Sequence, residues 1–304
     1  MDQDDPQAYS DLAGFGGDWR DSWYHEDFVE LMAWRWRLST VGRALDVGCG
    51  VGHWGQRLAR YFADDAVLVG IDSQAAFLDQ ARVRAAERGL SDRCEWLAAD
   101  VMDLPFPDDS FDFVTCQTVL MHLADPAGAL REMRRVVRPG GLIAAAEPHN
   151  LLSAMAELFE DAELDDRERL ELLAFEMAVF RGKMALGQGD SSIALRVPGL
   201  MGDAGLSGIQ AWHSDMCALA LPPYDAKVQA DVNQRLSWIA SDAMIGGTRA
   251  DARKRFVAGG GREDDFDALW ERARSRDLRL GEAMKAGTWR SAGAFTMLLV
   301  SGRK

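Results

Sequence analysis

Cysteine is scarce in this sequence, and its spacing argues against two classes of site. The chain has four cysteines: Cys49, Cys94, Cys116 and Cys217. Because they form no CxxC pair and no cluster with histidine, the sequence gives no sign of a zinc site or of a disulfide framework. We expect reduced thiols that are mostly buried.

Basic charge and long apolar runs are also lacking. The 34 Lys and Arg residues stand against 48 Asp and Glu residues, a net charge of −14, which repels phosphate backbones and anionic membranes. No stretch reaches the roughly 18 consecutive apolar residues of a transmembrane helix, and the acidic start MDQDDPQAYSDL differs from a secretory signal. The sequence therefore predicts a cytoplasmic protein that binds neither nucleic acid nor membrane.

What the chain does contain is a regular alternation of short apolar runs and helical patterns. The apolar runs that read as strands are residues 44–48, 66–72, 94–100, 111–117 and 142–148. The helical patterns cover residues 54–61, 75–88 and 127–137, and a Pro-Gly-Gly turn is expected at 139–141. Short continuous apolar runs are typical of parallel strands that are buried on both faces. This alternation predicts an α/β, doubly wound sheet.

The rest of the chain divides by pattern into further segments. We expect an N-terminal helical lid, a cofactor-binding core, a helical insertion, a late strand, a second helical insertion and a last strand. These segments cover residues 1–40, 41–148, 149–205, 206–222, 223–290 and 291–304. The aromatic residues of the lid, among them Tyr9, Trp19, Tyr24 and Trp36, either cover the ligand or pack in the core.

The most informative segment is LDVGCGVGHW, residues 45–54, where a strand ends in Gly48, Gly50 and Gly52 and a helix begins. Glycines allow backbone torsions closed to other residues and let a ligand approach the main chain. A dinucleotide-binding GxGxxG loop would need a glycine where His53 stands. The loop therefore predicts a nucleotide-like ligand and weakens the case for NAD.

Acidic residues follow the next two strands. Asp72 ends the second strand, where a carboxylate can accept hydrogen bonds from both ribose hydroxyls. Asp100 follows the third strand beside Val101 and Met102. Asp100 can accept from an exocyclic amine while Val101 or Met102 packs on the ring, so this pair suits an adenine.

On these residues the chain resembles the class I S-adenosylmethionine-dependent methyltransferases, in particular the small-molecule branch of ubiquinone and menaquinone biosynthesis. The resemblance covers residues 41–148 and rests on five pieces in order: LDVGCGVG, GID (70–72), AADVMDLPFPDDSFDFV (98–114), VLMHL (119–123) and RPGGLI (138–143). It implies S-adenosyl-L-methionine as the cofactor. It also implies a Rossmann-like seven-stranded sheet whose last strand, AFTMLLVSG (294–302), is reversed, with helical cap insertions.

The resemblance also assigns roles to matching residues. The implied cofactor-binding residues are Asp46, Gly48, Gly50, Gly52, Asp72, Ser73, Asp100, Val101, Met102 and Gln117. Asp46 would orient the loop or the cofactor's amino group, and Gln117 would lie near the methionine moiety. His122, Glu147 and His149 are the candidate catalytic bases, each of them with a purely structural role as the alternative. No cluster of carboxylates indicates a metal site.

The predicted activity is methyl transfer from S-adenosylmethionine to an O, N, C or S atom of a small molecule by in-line displacement. The two insertions would form a cap over the substrate side of this fold. Two alternatives stay open: a protein that uses S-adenosylmethionine for another reaction, and an NAD-dependent oxidoreductase. A nucleic-acid methyltransferase fits the charge poorly. No motif identifies the acceptor or the oligomeric state.

Overall fold

A computed structural model of the protein describes residue 20 and residues 23–217, 219–240, 247–293 and 296–304. Tyr9 and Trp19 of the expected lid lie outside the described residues. The chain forms two compact units. The sheet unit comprises residues 1–148, 193–216 and 297–304, and the helical unit comprises residues 149–192 and 217–296.

The sheet unit contains a single seven-stranded sheet. Its strands are β1 Arg43–Val47, β2 Val67–Asp72, β3 Cys94–Ala98, β4 Phe111–Gln117, β5 Val137–Pro148, β6 Ser207–His213 and β7 Met297–Arg303. The strand order is β3-β2-β1-β4-β5-β7-β6; the first five strands are parallel, and β7 is antiparallel to both β5 and β6. The predicted doubly wound sheet with a reversed last strand is confirmed.

The described helices follow the expected alternation. In chain order they are α1 Glu26–Trp36, α2 His53–Ala59, α3 Ala75–Glu87, α4 Pro126–Val136, α5 Asn150–Glu160, α6 Asp166–Ala185, α7 Val197–Asp203, α8 Ala226–Ala240, α9 Arg249–Ala258 and α10 Glu263–Lys285. Local chemistry explains where α4 begins: Pro126 is its first residue, and the Asp125 carboxylate accepts from the Gly128 N–H at 2.8 Å.

The core of the sheet unit explains why its strands are continuous apolar runs. Side chains from β1, β2, β4, β5 and β7 are buried together, among them Leu45, Val69, Val114, Ile143 and Val300. Full burial of such a side chain stabilises the fold by roughly 1.5–3 kcal/mol. Trp36 of α1 is also buried, with its ring centroid 6.4 Å from that of Trp54 and 6.1 Å from that of Phe113. This N-terminal aromatic side chain therefore packs in the core.

Two segments differ from the sequence-based expectation. Residues 193–205, assigned above to the first insertion, belong to the sheet unit, because Ile193, Val197 and Met201 are fully buried in its core. The turn expected at 139–141 lies inside β5, as an irregularity in its pairing with β4. Gly140 has φ +76°, and its N–H donates to the Lys304 carbonyl at 2.8 Å. This segment is therefore hydrogen-bonded to the end of the chain and is not an exposed turn.

The helical unit is built around an aromatic core with one very close backbone contact. Its core contains Phe175, Phe256, Phe266 and Trp270. A Cβ at Gly182 of α6 would lie 1.6 Å from the Arg255 carbonyl oxygen, and a Cβ at Gly259 would lie 1.8 Å from the Ala178 carbonyl oxygen. The backbones of α6 and the end of α9 therefore touch, which only glycine permits at these two positions.

The helical unit also buries a carboxylate. Among the described residues, Glu176 Oε2 is buried without a hydrogen-bond partner. Burial and the neighbouring charges of Glu157 and Asp277 raise the pKa of Glu176 from its ordinary 4.5 to about 8, against the opposing effect of Arg276. Burial therefore favours the neutral, protonated form of the Glu176 carboxyl group.

We expect Glu176→Gln to remove a pH dependence of stability. Because the folded state binds the Glu176 proton more tightly than the unfolded chain, the stabilisation is complete below pH 4.5 and is lost as the pH rises toward 8. The variant should match the wild type at pH 5 and exceed it by on the order of 2 kcal/mol at pH 8. Urea unfolding at the two pH values measures this, with Glu282→Gln, at an exposed position, as the control. Equal effects at both pH values would contradict it.

No helix in the described ranges is both long and apolar enough to cross a membrane. Within the same ranges, no three His, Cys, Asp or Glu side chains are grouped so that they hold a metal ion.

Candidate active site

The glycine loop after β1 adopts the backbone conformation that its sequence predicts. Gly48, Gly50 and Gly52 have φ of +62°, +53° and +83°, in the left-handed region that other residues rarely adopt. A Cβ at Gly48 would lie 2.5 Å from the Val119 side chain, whereas a Cβ at Gly50 would meet no atom within 4 Å. Gly48 is thus required by packing, and Gly50 leaves open space above the loop.

Asp72 at the end of β2 holds this loop from the adjacent strand. Its Oδ2 accepts from the Gly50 N–H and its Oδ1 accepts from the Gln74 N–H, both at 2.9 Å. Burial raises the pKa of Asp72, and the two N–H groups oppose this shift. A carboxylate has about four acceptor positions, so both oxygens can also accept from ligand hydroxyls. Ser73, the next residue, is exposed.

Asp46 lies beneath the loop with one oxygen unsatisfied. Its Oδ2 accepts from the Gly55 N–H at 2.9 Å, while its Oδ1 is buried and has no hydrogen-bond partner among the described residues. Burial raises the pKa of Asp46 to about 7, with a further contribution from the charge of Asp72. A buried acceptor without a partner is costly, and a donor from a bound ligand would satisfy it.

Asp46 borders a small cavity of about 10 Å³, which is roughly the space that one water molecule needs. The residues that line it are Arg20, Asp46, Gly48, Cys49, His53, Trp54 and Gln117. Sequence reasoning predicted three of them, Asp46, Gly48 and Gln117. His53 and Trp54 directly follow the glycine loop, which is the signal that could have indicated them, whereas nothing local to Arg20 points to this cavity.

Gln117, the last residue of β4, connects the cavity to the segment before α1. Its Nε2 donates to the Tyr24 hydroxyl at 3.2 Å, and both side chains are buried. The Tyr24 ring lies 5.3 Å from the Trp54 ring, and the Trp54 Nε1 donates to the Thr115 hydroxyl at 2.8 Å. This network fixes the Gln117 side chain beside the cavity, and its contact with the methionine moiety stays a prediction.

The residues predicted to contact adenine lie after β3. The Asp100 Oδ1 accepts from the Met102 N–H at 2.9 Å, which shapes a tight turn. The Ala99 N–H donates to the Asp72 carbonyl at 3.2 Å, so this turn starts beside the end of β2. Met102 is 40% exposed and Val101 is half-buried against the core. The arrangement leaves apolar surface and a carboxylate available at the same edge of the sheet.

Glu147, one of the three candidate bases, has contacts that favour a positioning role. Its side chain is buried, and its Oε1 accepts from the N–H groups of Val119 and Leu120 at 2.9 and 2.8 Å. Its Oε2 accepts from the Met121 N–H at 3.2 Å. Three backbone N–H groups thus occupy the two oxygens of this carboxylate, each through a charge-assisted hydrogen bond. Glu147 therefore holds the short 3-10 turn Leu120–His122.

The two histidines differ in what their rings can accept. The His149 Nδ1 accepts from the Leu152 N–H at 3.2 Å and caps α5, so the neutral ring carries its proton on Nε2. Burial lowers the pKa of His149. Nε2 already carries the proton of the neutral ring, and protonation of Nδ1 would break the hydrogen bond that caps α5. His122 is exposed at the end of the turn that Glu147 holds, and its catalytic role stays a prediction.

Comparison with known proteins gives matches over this same region. Residues 45–145 match a family model described as a methyltransferase domain. Methyltransferase GfsG of Streptomyces halstedii is 37% identical over 143 residues, which are 47% of this chain and 48% of that protein. The 2-phytyl-1,4-naphtoquinone methyltransferase of Synechococcus elongatus is 33% identical over 135 residues, which are 44% of this chain and 58% of that protein. The chain thus spans about half the length of these curated relatives.

Solved structures extend the likeness to most of the chain. The YcgJ protein of Bacillus subtilis aligns with a TM-score of 0.51 and 19% sequence identity, over 92% of this chain and 99% of that chain. At this identity the similarity is one of fold.

Proposed function

We propose that the protein transfers a methyl group from S-adenosyl-L-methionine to an O, N, C or S atom of a small organic molecule, and the match of residues 45–145 to a methyltransferase domain supports this. The observation that carries the proposal is the glycine loop held between Asp46 and Asp72, with open space above Gly50 and an unsatisfied buried oxygen on Asp46. This loop and its two carboxylates fit a nucleoside whose substituent carries hydrogen-bond donors.

The residues of this chain bind the cofactor and orient it toward the acceptor. Asp72 accepts from the ribose hydroxyls, and Asp100 with Val101 or Met102 contacts the adenine. Asp46 and Gln117 face the methionine portion. When bound, S-adenosylmethionine supplies a methyl group on a sulfonium, which is already a good leaving group. Alignment of the acceptor and exclusion of water are therefore the main tasks left to the protein.

A base is needed only where the acceptor atom carries a proton at neutral pH. Of the three candidates we propose His122 for that role, because its side chain is exposed at the end of the turn. Glu147 acts through the turn that presents His122. His149 contributes as the cap of α5.

A small molecule is the acceptor class that the charge supports. The net charge of −14 disfavours a nucleic-acid substrate, whose phosphates an acidic protein repels. The curated relatives named above include a methyltransferase of a naphthoquinone, which is consistent with an organic ring system as acceptor.

We expect Asp72→Asn to weaken cofactor binding. Loss of the carboxylate that accepts from the ribose should cost about 1–3 kcal/mol, a weakening of roughly 5- to 150-fold. Isothermal titration calorimetry with S-adenosylmethionine and S-adenosylhomocysteine measures this, and NAD serves as the competing ligand. The exposed Asp79→Asn is the matched control and should leave affinity unchanged. Binding of NAD alone, or S-adenosylhomocysteine affinity that Asp72→Asn does not change, would contradict the proposal.

A further inference from the structure

Trp96 of β3 lies across a glycine of the neighbouring strand. It pairs in register with Gly70 of β2, and a Cβ at Gly70 would lie 2.3 and 2.5 Å from two carbons of the Trp96 ring. The φ of Gly70 is not in the left-handed region, so the space that the ring occupies is what requires glycine here. Gly70 is the first residue of the GID motif, and this contact explains its presence.

The same ring extends to the glycine loop. A Cβ at Gly52 would lie 3.3 Å from Cη2 of Trp96, the carbon at the far end of the indole. Gln56 is also next to Gly52, because that Cβ would lie 2.4 Å from the Gln56 Nε2, which donates to the Ala81 carbonyl at 2.9 Å. Gly52 is therefore in contact with an indole on β3 and with an amide that is hydrogen-bonded to α3.

The two halves of the loop are attached to the sheet in different ways. The Cys49 N–H donates to the Ile71 carbonyl at 2.8 Å, and the Gly50 N–H donates to the Asp72 carboxylate at 2.9 Å, so hydrogen bonds join the first half to β2. The Gly52 N–H donates to the Cys49 carbonyl at 2.9 Å, within the loop itself. The packing of Trp96 is therefore what connects the second half of the loop to β3.

We propose that Trp96 is a positioning residue for the cofactor, because its ring, which lies on Gly70, sets how closely Gly52 approaches the sheet. Trp96 acts through the glycine loop and supplies no group to the ligand. An indole suits this role, since it is large and rigid, and close-packed side chains transmit small displacements. This inference rests on the proposed function and adds a residue that the sequence analysis did not assign to the site.

Removal of the ring should displace the loop while every group expected to contact the ligand is kept. We expect Trp96→Ala to weaken S-adenosylhomocysteine binding by about tenfold, because small misplacements in a binding site are costly. Trp96→Phe keeps a ring over Gly70 but is too short to reach Gly52. Its affinity should therefore lie between those of Trp96→Ala and the wild type.

Gly70→Ala tests the same contact from β2. The new Cβ must displace the ring, so this variant should also lose affinity. The double variant Gly70→Ala/Trp96→Ala should bind as Trp96→Ala does, to within about twofold, because the added methyl group then meets no ring. Losses that multiply in the double variant would show that the two residues act independently and would overturn the proposal.

Two measurements separate positioning from a general loss of stability. Calorimetry is performed at a temperature at which thermal unfolding shows every variant to be folded. Val300→Ala, in the sheet core on β7, should lose stability but keep wild-type affinity, and Trp34→Ala, at a side chain that is 75% exposed, should change neither. Amide hydrogen exchange in Trp96→Ala should become faster at residues 48–54 and stay unchanged at residues 297–303.

The outcomes distinguish this inference from the proposed function. Wild-type affinity in folded Trp96→Ala, or exchange that becomes faster to the same extent in both segments, would overturn the role of Trp96 and leave the proposed function intact. Failure of the wild type to bind S-adenosylhomocysteine would overturn the proposed function and this inference with it.

Discussion

Substitution of Gly182 by alanine is expected to destabilise the protein by about 3 kcal/mol, because the added methyl group has no space. A Cβ at this position would lie 1.6 Å from the Arg255 carbonyl oxygen, which is a backbone atom and not a flexible side chain. Relief of this clash requires α6 to move away from α9. The aromatic core around Phe175 and Phe256, which these two helices share, would then lose packing.

Urea unfolding of Gly182→Ala measures this loss, with Gly281→Ala as the matched control. Gly281 is also in the interior of a helix of the helical unit, but its Cβ would meet the Ile239 side chain at an ordinary 3.4 Å. The control should be neutral or gain up to about 1 kcal/mol from the better helix propensity of alanine. If both variants unfolded at the same urea concentration as the wild type, the close backbone contact of α6 would be refuted.

Glu147→Gln is expected to cost a similar amount, about 3 kcal/mol. The glutamine carbonyl can still accept one or two N–H groups, but its amide nitrogen would face the Met121 N–H, which leaves that buried donor unpaired. The loss of the negative charge also weakens the remaining hydrogen bonds. The turn at 120–122 should therefore become less stable in this variant.

The control for Glu147→Gln is Asp125→Asn, at the start of α4. Asp125 also accepts a backbone N–H, but it is exposed and asparagine caps helices equally well, so its stability should be unchanged. Denaturant unfolding and S-adenosylhomocysteine affinity are compared for both variants. Wild-type stability in Glu147→Gln, together with a lost acidic limb in the pH profile of methyl transfer, would reverse the assignment and make Glu147 the base.

Much of the fold was predictable because its strands are buried on both faces. The strands β1, β2 and β4 are short apolar runs bounded by polar or glycine residues, so local composition identifies them. Residues 193–205 were misassigned because an apolar helix that packs on the sheet has the same local pattern as a helix within the insertion. Only the burial of Ile193 and Val197 against distant strands separates the two cases.

The candidate site was predictable where its residues follow the strands. Gly48, Asp72 and Asp100 stand at the carboxyl ends of three neighbouring parallel strands, which must meet at one edge of the sheet. Arg20 and the contacts of Glu147 were not predictable in this way. Arg20 reaches the cavity, and Glu147 reaches the turn after β4, through contacts between segments that are far apart in the chain, and no local pattern specifies such contacts.

The interleaving of the two units has a consequence for the order in which a nascent chain acquires structure. Strands β1 to β5 are made first, but β6 pairs with β7 alone among the described strands, and β7 is made after the whole helical unit. The core of the helical unit is also formed by residues that are far apart in the chain. Phe175 on α6 is made well before its packing partners Phe256 and Phe266. Because β6 has no other partner among the described strands, we expect the sheet to stay incomplete until residues 297–303 are made, which exposes open strand edges during synthesis.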